Sequence, residues 1–408
     1  MPVSLAFRSG PDAGAVPGTS LLSGDVEYPQ LVLKRAEFEH NLAAMREFCA
    51  ARGVSIAPHA KTSMAPAIIR AQLAAGAWGV TVASVGQLRV CLEAGAPVML
   101  VANQIVNPAA ARWLGETLAG RPGQLAYCIV DSAAGVARLA DGWRASGNPA
   151  PLPVLVELGL PGGRTGCRTP EQAEALARAV GGRPELRLAG VEAFEGILTG
   201  GRTAEGLRQV DEFLGLLGDV AVRLDRLSLL SADAEPILTA GGSQYFDRVA
   251  QVLSAVTLSR PHRVVLRSGC YAFHDHADHA DGWALAGADG ATGLRPALEV
   301  WCEVVSVPEP GLALAALGKR DAPYDAGFPV VLARRAADGR GTEPLAGVTV
   351  TGLNDQHAYL HVPPGTRIAV GDLLGCGIIH PCTAFDKWRR LALVDEEYRV
   401  LDTIDTYF

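Results

Sequence analysis

The stretch "LPVLVELGLPGGRTGCRTPEQAEALARAVGGRPELRLAGVEAF", residues 152–194, reads as a strand, a helix and a second strand. Both "LPVLVELG" and "LRLAGVEAF" are near-continuous apolar runs of strand length, without the alternation that a half-exposed strand shows. Between them "TPEQAEALARAVGG" has helical period, opens on Thr169-Pro170 and closes on a glycine pair, as helix caps prefer. Two fully apolar strands joined by an amphipathic helix pair in parallel, because the crossover helix carries the chain back to the same edge.

The unit repeats outward in both directions. Further strand-like runs are "VSIAP" from Val54, "GVTVAS" from Gly79, "PVMLVAN" from Pro97, "LAYCIVD" from Leu125, "RLSLLS" from Arg226 and "RVVLRSG" from Arg263, which makes eight in all. Helical segments such as "GQLRVCLEAG" and "NPAAARWLGETLAG" lie between them. Eight β/α repeats point to a closed, TIM-like (β/α)8 barrel with its site at the strand C-termini, and an open doubly wound sheet is the alternative. After residue 285 the texture changes to Val/Leu strands and Pro/Gly turns, as in "ALEVWCEVVSVPEPGLALAAL" and "GVTVTGLNDQHAYLHVPPG". That reads as a C-terminal all-β domain over 286–408. The barrel then spans 28–285, with 28–36 a candidate strand of the β-domain, and 1–27 reads as a flexible Gly/Pro-rich leader.

With 408 residues, 49% hydrophobic and 19% charged, the chain has enough length for a large core and a smaller one. A net charge of −7 and scattered Lys and Arg exclude a nucleic-acid footprint or an anionic-membrane surface. No apolar run is long enough for a membrane span, and no signal-peptide pattern opens the chain, so a cytoplasmic protein is expected. The eight cysteines include no CxxC pair and read as buried thiols rather than a disulfide framework.

Two places carry chemistry. In "VSIAPHAKTSMAP", Lys61 lies just past the first barrel strand, where a lysine is either a loop residue or, when desolvated, a Schiff-base former for a carbonyl cofactor; His59 stands beside it. In "GIIHPCTAFDKW", His380 and Cys382 flank Pro381; in an extended strand they would face one side and could grip one ion. Two ligands undersupply a structural zinc site, leaving positions for His357 or His361, or for a substrate's oxygens. A third pattern, "HDHADH" (His274 to His279), matches the metal motif of metallo-β-lactamase-type hydrolases, but it follows eight β/α units instead of opening a chain of facing sheets.

"PHAKT", "VELGLPGGRTGCR", "VEAFEG", "TAGGSQYF", "RSGCYAFHD", "GLNDQHAYL" and "HPCTAFDKW", in this order, resemble the D-serine dehydratase and D-threonine aldolase family of alanine-racemase-type pyridoxal phosphate enzymes. The resemblance covers residue 28 to the end. It implies a barrel followed by a β-domain, Lys61 as the Schiff-base lysine, and Zn2+ or another divalent metal on His380 and Cys382. It implies further contacts from Arg164, from the Gly241-Gly242-Ser243 turn as an anion cradle, from Tyr271, and more weakly from Gln104 and Asn107. The Ser is a departure, since the family more often carries Thr there. Cys382 stands where the aldolase branch has an aspartate, which tips the expectation toward a zinc-dependent dehydratase giving a 2-oxo acid and ammonia from D-serine or a related 3-hydroxy-D-amino acid. Aldolase cleavage to glycine and an aldehyde is the alternative, and a pyridoxal phosphate carrier or a racemase fits the length or the metal pair less well. The expected partner is a small D-amino acid, and a homodimer is usual for this fold group.

Overall fold

A computed structural model describes residues 15–198, 200–276, 293–339 and 341–408. They form two compact units, one of residues 40–272, 293–294 and 407–408, the other of residues 15–39, 273–276 and 295–406. The elements of the first are β2 (Ser55–Ile56), β3 (Val80–Val82), β4 (Val98–Gln104), β5 (Leu125–Val130), β6 (Leu152–Leu158), β7 (Leu186–Ala193), β8 (Ile237–Ala240) and β9 (Arg263–Leu266), numbered after β1 (Gln30–Lys34). Helices α1 (Arg35–Arg52), α2 (Pro66–Ala74), α3 (Val85–Glu93), α4 (Pro108–Ala119), α5 (Ala133–Ala145), α6 (Pro170–Gly181), α7 (Ala204–Arg226) and α8 (Phe246–Ser254) alternate with the strands.

All neighbouring strand pairs from β3 through β9 and on to β2 are parallel. The His59↔Thr81 bridge, with Trp78 N donating to Ile56 O at 2.8 Å, joins the two ends, so the expected barrel is present. Caps appear where residue chemistry favours them: Ser84, Ser132, Thr169 and Thr203 accept the amide three residues on, opening α3, α5, α6 and α7. The barrel interior is apolar, with Ala57, Leu100, Ile129, Leu155, Ala189, Ile237 and Val265 meeting in one cluster.

One strand is not where periodicity puts it. "RLSLLS" from Arg226 is the last residue of α7 and a loop that turns through Ser228 at φ 54°, and the seventh barrel strand is "ILTA", β8. Four residues were enough because both neighbours, β7 and β9, supply a full ladder of backbone partners.

The second unit is a ten-stranded sheet system of β1 and β10 (Leu298–Glu309) through β18 (Val400–Asp405). Its path β1–β10 is antiparallel and β1–β17 (Arg390–Val394) parallel, which buries Val32, Trp301, Ala392 and Val394 together. The leader is not loose in its described part: Leu21 and Leu22 enter this core, and Leu21 N donates to Tyr398 O at 2.9 Å. Apolar side chains flanked by paired backbone outweigh the Gly/Pro texture there. Residues 1–14 lie outside the described residues. Six of the eight cysteines are buried. Among the described residues no helix is long and apolar enough to cross a membrane.

Candidate active site

Two residues beyond the apolar layer, the strand interior turns polar. Side chains at i and i+2 share a face, so Ala57 leads to His59, Leu155 to Glu157, Ile237 to Thr239 and Val265 to Arg267. Register confirms a common level, for Glu157 pairs with Glu192 and Glu192 with Thr239. Arg267 Nη1 donates to Thr239 Oγ1 at 3.1 Å, and its Nη2 to Ala193 O at 2.9 Å and to Glu192 Oε1. Glu192 and Arg267 form a buried ion pair, both side chains 2% exposed. Burial pushes the Glu192 carboxyl up to about 7 against the pull of Arg267, while Glu157 works in the same upward direction.

Glu157 is held by Thr165 Oγ1 at 2.7 Å and by Gln104 Nε2. Burial raises its carboxyl, and both hydrogen bonds oppose that. Gln104, at the end of β4, is therefore tied to this layer. Arg164 reaches the same region from the β6–α6 loop, its guanidinium 4.5 Å from the Phe194 ring centre. His59 Nδ1 accepts from Lys61 N at 3.4 Å. Burial first, then the positive Lys61, Arg267 and Arg164, hold its imidazole well below the ordinary range, so at neutral pH it is an uncharged base. Lys61 is exposed, in a short 3-10 turn after β2, and its amine makes no hydrogen bond or ion pair among the described residues.

The Gly241-Gly242-Ser243 turn follows β8 directly, yet its amides face inward. Gly242 N donates to Glu195 Oε1 at 2.8 Å, and Gly241 N also bonds that carboxylate. A Cβ on Gly241 would lie 2.6 Å from Arg267 Cβ and 2.9 Å from its backbone N, so close packing on Arg267 accounts for the glycine. Ser243 Oγ accepts from Cys270 N at 3.2 Å and does not begin the helix; α8 is capped by Tyr245, without a side-chain bond. An anion at this end would meet the uncapped first amides of α8 rather than the glycine pair.

Tyr271 lies apart from this cluster. Its ring is 2% exposed, in a cavity of about 220 Å³ with Leu42, Met45 and Cys49, and Gln72 hydrogen-bonds it. Asn107 caps α4 by accepting from Ala109 N at 2.9 Å.

In the β-rich unit, His380-Pro381-Cys382 is not an extended strand: Pro381–Thr383 is a 3-10 turn, for which the fixed φ of proline at the first position is suited. His380 and Cys382 still meet. His380 is raised to about 9, by a hydrogen bond with Cys382 first, against burial and with help from Asp325. Asp325 Oδ2 lies 2.7 Å from His380 Nδ1, and Asp325 Oδ1 accepts from Thr383 Oγ1 at 3.1 Å. That leaves Nε2 and a thiol as the donors for an ion, a borderline-soft pair. His357 and His361 are exposed, and among the described residues no group of three His, Cys, Asp or Glu is placed to hold a metal. Of "HDHADH", His276 is a packed residue of this unit, its Nδ1 accepting from Ile378 N at 3.2 Å. His279 lies outside the described residues.

The alanine racemase N-terminal domain matches residues 33–249, and a putative serine dehydratase domain matches residues 297–394. The chain belongs to the alanine-racemase-like, fold type III family of pyridoxal phosphate enzymes. A D-threonine aldolase of Arthrobacter sp is 30% identical over 355 residues, 86% of this chain and 84% of its own. The D-threonine aldolase from Filomicrobium marinum superposes with a TM-score of 0.79 at 26% identity, covering 96% of this chain and 98% of its own. A D-threo-3-hydroxyaspartate dehydratase of Delftia sp. is 29% identical over 255 residues, 61% of this chain and 62% of its own. That dehydratase has been solved as variants at a histidine and at a cysteine two positions on, the latter in a metal-free form.

The barrel's residues suit the cofactor of this family. A lysine without a partner stands past the first strand, an uncapped helix start follows β8, and a buried carboxylate oxygen, Glu192 Oε2, lacks a hydrogen-bond donor among the described residues. Residue-by-residue reading missed Glu157, Glu192, Arg267 and Asp325. The signal for the first two was legible: an acid inside "VLVEL" and another inside "GVEAF", each in a run otherwise too apolar to hold a charge.

Proposed function

We propose that the chain is a pyridoxal-phosphate-dependent lyase that removes water from a 3-hydroxy-D-amino acid such as D-serine, giving a 2-oxo acid and ammonia, with a zinc ion on His380 and Cys382. The observation that carries the choice of reaction is the imidazole and thiol meeting at His380 and Cys382, which favours zinc over harder ions. The spacing of the histidine and cysteine variants in the Delftia dehydratase supports it.

The cofactor, when bound, supplies an aldehyde for the substrate amine and a ring that takes up the charge freed at Cα. Lys61 Nζ is the amine that would hold that aldehyde, and as a free amine it would be the base for the Cα proton. Arg164 gives a fork-shaped donor for an anionic oxygen, and His59, uncharged, keeps the turn of Lys61 in place through its Nδ1. Gln104 is fixed on Glu157 in the same layer. The reaction asks for a Lewis acid at the β-hydroxyl, since hydroxide is a poor leaving group, and an ion on His380 Nε2 and Cys382 Sγ has the chemistry for it.

Retro-aldol cleavage to glycine and an aldehyde is the second reading, favoured by the 30% identity to a D-threonine aldolase across 86% of the chain. Incubation with D-serine, D-threonine and D-3-hydroxyaspartate separates the two by product: pyruvate or another 2-oxo acid with ammonia, against glycine with an aldehyde. Glycine as the sole product overturns the dehydratase. Borohydride reduction of the holoenzyme is expected to fix the cofactor on Lys61, and Lys61→Ala to abolish the label; a label surviving in that variant overturns the role of Lys61.

A further inference from the structure

We infer that Glu192 is the partner of the cofactor's ring nitrogen and keeps that nitrogen protonated through Oε2. This rests on the pyridoxal phosphate reading above.

Glu192 stands near the C-terminal end of β7, level with Glu157 on one side and Thr239 on the other. Its orientation is determined. Oε1 is taken by Arg267, and Arg267 is itself anchored on Thr239 Oγ1 and Ala193 O, so the carboxylate has one way to turn its second oxygen. That oxygen, Oε2, is buried and has no hydrogen-bond partner among the described residues. A buried acceptor left unmet costs about 1–3 kcal/mol, so the position calls for a donor brought by a ligand.

The ligand's own chemistry says which group that is. Of the cofactor's substituents, the phosphate and the phenolic oxygen carry negative charge and the aldehyde is an acceptor; a carboxylate repels or fails to satisfy all three. The ring N–H is the one donor. Other acids of this region are already engaged differently: both oxygens of Glu157 are satisfied, by Thr165 and Gln104. Glu195 also has a buried oxygen without a partner, but its carboxylate is held by the Gly241 and Gly242 amides, in a 3-10 turn beyond the strand end. Arg267 offsets part of the cost of burying a charge on Glu192. A protonated ring withdraws electrons more strongly and better stabilises the charge freed at Cα.

The test is ring-nitrogen NMR of wild type and Glu192→Gln, each reconstituted with cofactor labelled with 15N in the ring. Gln retains the volume and an acceptor for Arg267, and circular dichroism checks its fold. The expected result is a protonated-ring shift in wild type and a neutral-ring shift in Glu192→Gln, with cofactor affinity about tenfold weaker, as loss of one charge-assisted hydrogen bond implies. Glu195→Gln is expected to leave the ring protonated. A neutral ring in wild type, or a ring still protonated in a folded Glu192→Gln, overturns the assignment while leaving the cofactor reading intact. Failure of wild type to bind the cofactor overturns both. If the variant does not fold, a neutral ring in the wild-type spectrum still overturns the assignment.

Discussion

His276 shows how one residue type serves two purposes in this chain. In sequence it belongs to a metal-like cluster with His274 and His279. In the structure its Nδ1 accepts from Ile378 N, and its own amide donates to Ile378 O at 2.9 Å, so it is an extra rung beside a strand end. Burial holds the imidazole down at about 4, Glu299 opposing and Lys34 assisting. The folded form thus binds fewer protons than the unfolded chain between about 4 and 6.5, so stability is complete above 6.5 and falls as pH drops through that window. The shift corresponds to roughly 3 kcal/mol, and about 2 once the ring's partial exposure is allowed for. Urea unfolding at stepped pH is expected to show a shallower acid limb for His276→Asn, which keeps an acceptor for Ile378. Parallel curves would assign the acid loss to other groups.

At the scale of the element, β7 decides how the polar layer is built. Its register against β6 shifts between Val154 and Leu155, and the bulge passes through Gly190 at φ 147°. A Cβ there would lie 1.9 Å from Ile237 O in the next strand, with backbone rather than a flexible side chain to displace. Gly190→Ala is expected to cost more than about 3 kcal/mol or to prevent folding, seen as a large drop in melting temperature or soluble yield. Gly181→Ala, at the end of α6 with open space around it, is the control, expected within about 1 kcal/mol of wild type. Equal stability of the two variants would mean that the bulge relaxes. The existence of β7 was legible from its apolar run, and its bulge was not, because an extra residue in a ladder has no local signature. The same limit explains β8: four residues form a strand on the strength of two neighbours, while the more apolar "LSLL" after α7 had none to pair with.

For the whole molecule, the two units have separate cores, one around Leu155 and Val265, the other around Val32 and Trp301. The proposed lysine chemistry belongs to the first and the proposed metal pair to the second, so the two are expected to be separable. Cys382→Ala should lose bound zinc, measured by elemental analysis after desalting, and lose dehydration by at least about a hundredfold, as removal of a Lewis acid implies. The borohydride-trapped cofactor on Lys61 should be unchanged. Zinc retained at one equivalent in Cys382→Ala would overturn the ligand assignment. Asp325→Ala is expected to weaken zinc by about tenfold or more, since the carboxylate holds His380 Nδ1, the ring nitrogen that would not be the ligand.

The sequence by itself determined the succession of parallel β/α units, the β-rich region after them, and the two local candidates, Lys61 behind the first strand and His380 beside Cys382. These depend on periodicity and on neighbours in the chain, and such patterns act over a few residues. Only the tertiary structure decided that Glu157, Glu192 and Thr239 stand at one level with the Arg267 side chain reaching back to it, that the Gly241-Gly242 amides belong to Glu195, and that one buried oxygen of Glu192 has no hydrogen-bond partner among the described residues. Glu192 and Arg267 are 75 positions apart, and their meeting depends on the register of three strands and on a bulge in one of them. Register is a sum of long-range pairings, and a shift by one residue would turn each of these side chains to the opposite face.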